Sequence, residues 1–429
     1  MKTILQKILT LLARAYLAKY KPKIVAVTGN TGKTSTKEMI AAVLGSELKI
    51  RMSGGNLNNE LGVPLAILGD WAEEYYSKGG TVGFWLKVLL RAKIGLLLGV
   101  NYPEILILEY GADRPGDIAK LAKNFKPDVA VVTAIGEIPV HVEYFSTPSE
   151  LVEEKSKLVE WLNPVDLAVL NYDDQAVLNM KEKTNAKVKT FGFRDGADIQ
   201  ITDFNFKIGS GGEPEGVVFK IQHGDGFTPF KIHGSLGKSQ AWSAAAATAV
   251  GLIFNINLVK ISGALASYRG PAGRLKVLKG IKNSWLIDDT YNASPASTLL
   301  ALETIKQLPA FRKITILGDM LELGKYTIQA HQEVGNFAGS FSDFLITVGT
   351  RAKFIADAAG NQMLKENFFS FETSLEAVSK IRELIQEGDL ILIKGSQGMR
   401  MEKIVEAIMA EPERKKELIV RQSSKWINK

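Results

Sequence analysis

The sequence predicts an α/β fold: two mostly parallel sheets layered with helices, the first of them extended by antiparallel strands. Three observations carry this. Short apolar runs alternate with helical patterns along most of the chain. A stretch of period-two alternation, punctuated by glycine, interrupts them between 197 and 234. Gly270-Pro271-Ala272-Gly273 then divides the chain before the β-α alternation restarts. The 429 residues are 46% hydrophobic, which excludes disorder, collagen and coiled coil and supports two or three domains. Lys and Arg number 53 against 46 Asp and Glu; the resulting +7 is mild for this length and argues against nucleic acid as a partner. Cysteine is absent, so disulfides, thiolate zinc sites and cysteine nucleophiles are excluded.

In chain order, residues 1–22 read as an amphipathic helix. Thr3, Gln6, Lys7, Thr10 and Arg14 fall at helical spacing among Ile4, Leu5, Ile8, Leu9, Leu12, Tyr16 and Leu17. Its charges are interleaved with apolar residues and no small-residue cleavage site follows, so it is not a secretory signal. A helix packed on the domain and a helix in peripheral contact with a membrane both fit the pattern. Lys23–Thr28 is a strand, followed by a Gly-rich turn and a helix from Lys33 to Leu44. Thr81–Val100 is long enough to suggest a membrane span. It contains Lys87, Arg91 and Lys93, each costing about 2.5–3.5 kcal/mol at mid-bilayer, which leaves a surface-lying helix or one packed on the core.

Ile105–Glu109, Val129–Thr133 and Leu167–Asn171 continue the parallel sheet. Ile199, Ile201, Phe204 and Phe206, then Val217, Phe219 and Ile221, flank Gly209-Ser210-Gly211-Gly212 and read as antiparallel strands. Ala241–Ile253 is an Ala-rich helix. Beyond the break, Trp285–Asp288, Lys313–Leu317, Phe344–Val348 and Leu390–Ile393 build the second unit. The domains are therefore 23–269 and 270–410, with a basic tail, 411–429, expected to fray.

Thr28-Gly29-Asn30-Thr31-Gly32-Lys33-Thr34 lies between a strand and a helix. Small residues let backbone N–H groups wrap a phosphate, and the helix N-terminus favours the anion. Lys33 can reach the β- and γ-phosphates and Thr34 can offer its hydroxyl to Mg2+. The full spaced pattern requires glycine at position 27, which is Val27, so this is a shortened variant. Glu109 ends its strand and should emerge at the carboxyl edge of the sheet, where α/β proteins bind ligands.

Further segments follow in a fixed order: Gly55-Asn56-Leu57-Asn58-Asn59-Glu60-Leu61-Gly62, Glu109-Tyr110-Gly111-Ala112, His141-Val142-Glu143-Tyr144-Phe145, Asn171-Tyr172-Asp173-Asp174, Gly273-Arg274, Asp288-Asp289-Thr290-Tyr291-Asn292-Ala293-Ser294-Pro295, Gly318-Asp319-Met320-Leu321-Glu322-Leu323-Gly324 and Lys394-Gly395-Ser396. In this order, from about Lys23 to Ile408, they resemble the Mur ligase family. The resemblance implies a central P-loop ATPase domain and a Rossmann-like C-terminal domain. It implies an ATP-dependent amide ligase that activates a muramoyl-tripeptide carboxylate as an acyl phosphate and joins it to D-alanyl-D-alanine.

By the same resemblance, Gly29, Asn30, Thr31, Gly32, Lys33, Thr34, Arg274, Asp289 and Asn292 bind ATP. Thr34, Glu109 and His141 hold Mg2+ together with Lys155, which the family commonly carries as a carbamate; Lys33, Lys155, His141 and Glu109 are the expected catalytic set. Carbamylation needs a neutral amine, which burial favours. Asn56, Asn58 and Asn59 face the donor, and Asp319, Glu322, Lys394, Ser396 and Arg400 the acceptor. An enzyme of this kind is expected in the cytoplasm, with peripheral contact at the inner face of the membrane through 1–20 and 81–100.

Four departures from the family pattern stand out. About 22 residues precede Lys23, so the domain that holds the UDP end of the donor is expected to be missing or supplied by a partner. Residues 71–102 look inserted. The family's His-Asn-x-x-Asn segment is replaced by Ser239-Gln240-Ala241-Trp242-Ser243, which leaves Gln240, with Trp242, to meet the adenine. Gln397 stands where arginine is expected, with Arg400 nearby. A ligase acting on a lipid-linked or other acid donor, and a non-catalytic nucleotide-binding scaffold, are the alternatives.

Overall fold

The computed structural model describes residues 2–423 and residue 426. Met1 of the expected N-terminal helix, and 424–425 and 427–429 of the expected tail, lie outside the described residues. The first sheet contains β1 (Lys23–Thr28), β2 (Ile50–Met52), β3 (Ile105–Glu109), β4 (Val129–Val132), β5 (Leu167–Asn171), β6 (Lys187–Gly192), β7 (Ile199–Ile208), β8 (Pro214–His223) and β9 (Gly226–His233). Their order is β2-β3-β1-β4-β5-β6-β7-β8-β9. Pairing is parallel from β2 through β7, and β7, β8 and β9 are antiparallel, as the change in sequence pattern predicts.

Both faces of this sheet are covered, which explains the continuous apolar runs. Ile24 and Ala26 of β1 join one core; Val25 and Val27 join the other. The second core is closed by α2 (Lys33–Gly45) against the Ala-rich helix Lys238–Ile253. Small side chains let these two helices approach closely, and Thr36 donates its hydroxyl to Ser243 across the contact at 3.0 Å.

The second sheet adds β10 (Lys276–Lys279), β11 (Trp285–Asp289), β12 (Lys313–Gly318), β13 (Phe344–Val348), β14 (Phe368–Phe371) and β15 (Leu390–Lys394). Its order is β10-β11-β15-β12-β13-β14, parallel except at β10. Asp289 pairs in register with Lys394, so motif residues of β11 and β15 meet at one carboxyl edge. β2, β10 and β14, which the sequence reading passes over, are short strands on the margin of a sheet, where the signal is weakest. β6, also passed over, is an inner strand whose apolar run is broken by Lys187 and Lys189.

Helix α1 (Lys2–Tyr20) and a 17-residue helix, Val82–Leu98, both pack on the first domain. Tyr16 and Tyr20 donate to the carbonyls of Ala92 (3.1 Å) and Gly95 (2.7 Å). A Cβ at position 95 would collide with the Tyr16 hydroxyl, so this crossing requires glycine. Among the described residues no helix is long and apolar enough to cross a membrane.

The tail departs from expectation. Up to Arg421 it docks rather than frays, because Ile419 is buried in the second domain's core and Arg421 has buried partners. The Arg421 guanidinium pairs with Glu402 at 3.0 Å and donates to the carbonyls of Thr290 (2.9 Å) and Tyr291.

Candidate active site

The loop after β1 sits where the strand order reverses, between β3 and β4, and this is the crevice in which open α/β sheets bind ligands. Asn30 and Thr31 donate backbone N–H groups to Ala134 O, at 2.8 and 3.0 Å, which pins the loop to the segment after β4. Gly29 (φ +139°) leaves no room for a Cβ beside Thr133, and Gly32 (φ +87°) begins α2 without any side-chain cap. The first N–H groups of α2 are therefore open to an anion.

Behind this loop lies a buried charge cluster. Glu109 accepts from the Thr34 hydroxyl at 3.2 Å and from the Asn58 amide at 3.3 Å, and Lys37 lies 3.4 Å from it. Burial alone would raise the Glu109 carboxyl. Lys37, Lys33 and Arg274 overcome this and hold it below the usual carboxylate range, so it stays anionic. Lys33 is lowered by burial, with Arg274 adding to the effect and Glu109 opposing it. Lys155, 1% exposed on the helix Pro148–Glu160, donates to Gly29 O at 3.1 Å. Burial first and then the Lys33 charge bring its ammonium down from 10.5 to about 7.

The second domain closes over this cluster. Arg274 donates to the Thr34 hydroxyl at 2.9 Å, and its guanidinium lies 4.0 Å over the Tyr291 ring. The Tyr291 hydroxyl in turn donates to Asn56. Asp289 and Lys394 form a 2.6 Å ion pair, and Lys394 also donates to Asn292 O at 3.0 Å, fixing the loop after β11 against β15. Between the domains runs a cleft lined by Asn30, Thr31, Gln240, Arg274, Asp289 and Asn292, among others. Within or beside it, Asn30 Oδ1, Thr31 Oγ1 and Gln240 Oε1 are buried without a partner. Buried polar atoms carry a cost of about 1–3 kcal/mol when unpaired, so these atoms mark where a polar ligand belongs.

A neighbouring cavity of about 540 Å³ is lined by His141, Asn292, Glu322, Ser396 and Arg400. The expected acceptor residues thus divide. Glu322, Ser396 and Arg400 line this space. Lys394 is turned to Asp289, and Asp319 is committed to accepting from Ala352 N–H at 2.7 Å. Of the donor residues, Asn58 reaches Glu109 and Asn56 meets Tyr291, while the Asn59 side chain accepts from Leu61 and Gly62 N–H, shaping its own turn.

The structure joins Thr34 to Glu109 but leaves His141 among other partners. His141 (φ +67°) places Nδ1 2.7 Å from Glu322 across the domain boundary and Nε2 3.7 Å from Asp113. Among the described residues no three His, Cys, Asp or Glu side chains form a metal cage. The oxygen donors Thr34 and Glu109 beside a phosphate loop do suit Mg2+, which binds through one or two protein oxygens, phosphates and water. Of the adenine candidates, Gln240 faces the cleft, whereas Trp242 is turned to Asp173, donating to it at 2.6 Å.

Sequence reasoning missed Lys37, Asp113 and the Tyr291 contact. Lys37 carries one signal, its position one helical turn after Lys33. Tyr291 belongs to a quoted motif but meets Asn56 of the first domain only through domain closure, whereas Asp113, one residue past the Glu109–Ala112 segment, meets His141 within the first domain.

Comparison with known proteins accords with this geometry. The Mur ligase middle domain matches residues 27–75 and 94–251, and the Mur ligase glutamate ligase domain matches residues 273–397. UDP-N-acetylmuramoyl-tripeptide–D-alanyl-D-alanine ligase from Bacillus subtilis is 30% identical over 405 residues, covering 94% of this chain and 79% of that protein. The same enzyme from Escherichia coli is 28% identical, covering 90% and 76%. The MurF ligase from Thermotoga maritima, solved in complex with ADP, superposes with a TM-score of 0.77 at 26% identity over 96% of this chain and 84% of that one. With phosphate loop, buried carboxylate and closing arginine in the two domains that these matches cover, the chain belongs to the Mur ligase family.

Proposed function

We propose that the protein is an ATP-dependent amide ligase of peptidoglycan precursor synthesis, which joins a UDP-linked muramoyl tripeptide to D-alanyl-D-alanine with release of ADP and phosphate. One observation carries the reading: Lys33, Thr34 and Glu109 of the first domain meet Arg274 of the second at a single point, 2.9 Å from Arg274 to Thr34. A phosphoryl-transfer site needs this arrangement of backbone donors, fixed cations and an anion that can bind metal.

The donor's terminal carboxylate oxygen attacks the γ-phosphorus and the bond to ADP breaks, leaving an acyl phosphate. The acceptor amine then attacks the acyl carbon, phosphate departs with the C–O bond, and the nitrogen loses a proton. In this scheme the N–H groups of Gly32 to Thr34 cradle the β- and γ-phosphates, and Lys33 and Arg274 stabilise the charge on the transferring group. Mg2+, held by Thr34 and Glu109, would neutralise phosphate charge. Lys155 beside the loop acts as the carbamate, an anion formed when its neutral amine adds CO2 and sheds a proton. Asn56 and Asn58 face the donor, and the cavity of Glu322, Ser396 and Arg400 takes the acceptor. Domain closure brings the two reactants together and excludes water, which would hydrolyse the acyl phosphate.

The test is ADP release with Mg2+ and ATP, with each substrate alone and with both. Release that needs both, with a product of the mass of tripeptide donor plus dipeptide less water, supports the reading. ATP binding with no turnover on this pair overturns the choice of substrates.

A further inference from the structure

Two helices carry apolar side chains that the fold does not use. The Val82–Leu98 helix buries Phe84, Val88, Ala92 and Gly95 along one face. On the opposite face Val82, Leu86, Leu90, Ile94, Leu97 and Leu98 are 44–84% exposed. At 100° per residue these six fall within one half of the helix surface. On α1, Leu9, Ala13 and Tyr16 are buried, while Ile4, Ile8 and Leu11 remain 40–69% exposed. The Tyr16 and Tyr20 hydrogen bonds clamp the two helices together. The exposed aliphatic ridge along Val82–Leu98 marks an interaction site.

The charge pattern identifies the partner. Neither helix contains an acidic residue, whereas α1 carries Lys7, Arg14 and Lys19 and the second helix Lys87, Arg91 and Lys93. Lys87 is paired with Glu74 at 2.7 Å and Lys19 donates to Leu96 O, which leaves Lys7, Arg14, Arg91 and Lys93 for an anionic surface. A second copy of the chain seated on this face would bring like charges together. An anionic bilayer offers both complements, hydrocarbon for the aliphatic ridge and phosphate for the cations. The matched middle domain also passes over residues 76–93, so most of the exposed helix is an addition to the family's shared frame.

We propose that the outward faces of Val82–Leu98 and α1 dock the protein on an anionic membrane surface, with the aliphatic ridge lying at the headgroup boundary. Docking also concerns the donor side. Gln6 of α1 donates to Glu60 at 3.0 Å, and the cavity holding Asn58 and Asn59 is lined by both. A docked enzyme therefore has its donor cavity beside a helix in contact with the bilayer.

The experiment is co-sedimentation of the full chain with vesicles of phosphatidylcholine alone or containing about one-third phosphatidylglycerol. It reads binding without turnover, so its failure is separate from any failure of the ligase reading. The expected result is binding to the anionic vesicles, weakened when salt rises from about 0.1 to about 0.5 M. Leu86→Ser with Leu90→Ser should lower the partition coefficient about tenfold or more, with ADP binding unchanged to show that the fold is intact. Equal recovery with and without anionic lipid, or a double variant that binds like the parent, overturns the proposal. So does a dimer in solution that the double variant disperses, since a second copy is then the occupant.

Discussion

Lys155 is the most exposed point of the mechanism to experiment. Its amine is buried beside Lys33 and the phosphate loop, and its titration falls from 10.5 to about 7. At pH 7.5 about three-quarters of such an amine is neutral, against about one part in a thousand for a free lysine. That lowering corresponds to on the order of 5 kcal/mol by which this site disfavours the ammonium, mainly through desolvation and then through Lys33. Only the neutral amine adds CO2, and this is the chemical basis of the carbamate proposed above. Protein equilibrated with 13C-bicarbonate should show a carbamate carbon in its NMR spectrum that Lys155→Ala abolishes. Stripping CO2 from the assay should lower kcat, and bicarbonate should restore it. Lys155→Ala and Lys155→Arg should each lower kcat by about 10²–10³ while ATP binding changes little, since they remove charge from the transferring group's surroundings. Activity indifferent to CO2, with no carbamate signal, would refute this reasoning.

Other predictions follow from single contacts. Arg274→Ala removes the link to Thr34 and should lower kcat by about 10²-fold, measured under saturating ATP, with the melting temperature nearly unchanged. Glu322→Gln loses the His141 pair, which is part-exposed; steady-state kinetics should show less than about a tenfold change in kcat/KM. Asp288 is fully buried with one carboxylate oxygen unpartnered, and burial, the largest cause, raises it from 3.8 to about 6. The folded state thus holds a proton that the unfolded chain releases, so this group's contribution falls as pH rises from about 4 through about 6. Asp288→Asn should stabilise the protein at pH 7 by up to about 3 kcal/mol in urea unfolding, with the gain vanishing below pH 4. Arg421→Ala strips one of two partners from buried Glu402 and should cost about 1–3 kcal/mol in the same assay.

Much of this architecture was legible in the sequence because burial on both faces leaves an unmistakable mark. β1, β3, β4 and β5 read as unbroken apolar runs, and β7 to β9 announced their antiparallel pairing by alternation. The phosphate loop was legible for a chemical reason, since its glycines answer to backbone geometry at Gly29 and Gly32. The site's second half was less so. Arg274, Asp289 and Lys394 came from motif order; Asp289 and Lys394 pair within the second sheet, but the partners of Arg274, Glu322 and Asn56 exist only once the two domains meet. His141, a motif position that the resemblance marks as a metal ligand, meets a carboxylate of the other domain, a partner that only the fold could bring to it. The tail was misread because its composition is that of a disordered end; Ile419 and Arg421, two residues among many polar ones, anchor it.

Activation of a carboxylate by phosphoryl transfer is the step on which the proposed ligase activity depends. Donor tripeptide labelled with 18O in its terminal carboxylate tests it directly. With ATP, Mg2+ and acceptor present, one labelled oxygen from each donor should appear in the released phosphate, alongside ADP. Product formed with both labelled oxygens lost elsewhere, or phosphate free of label, would contradict it.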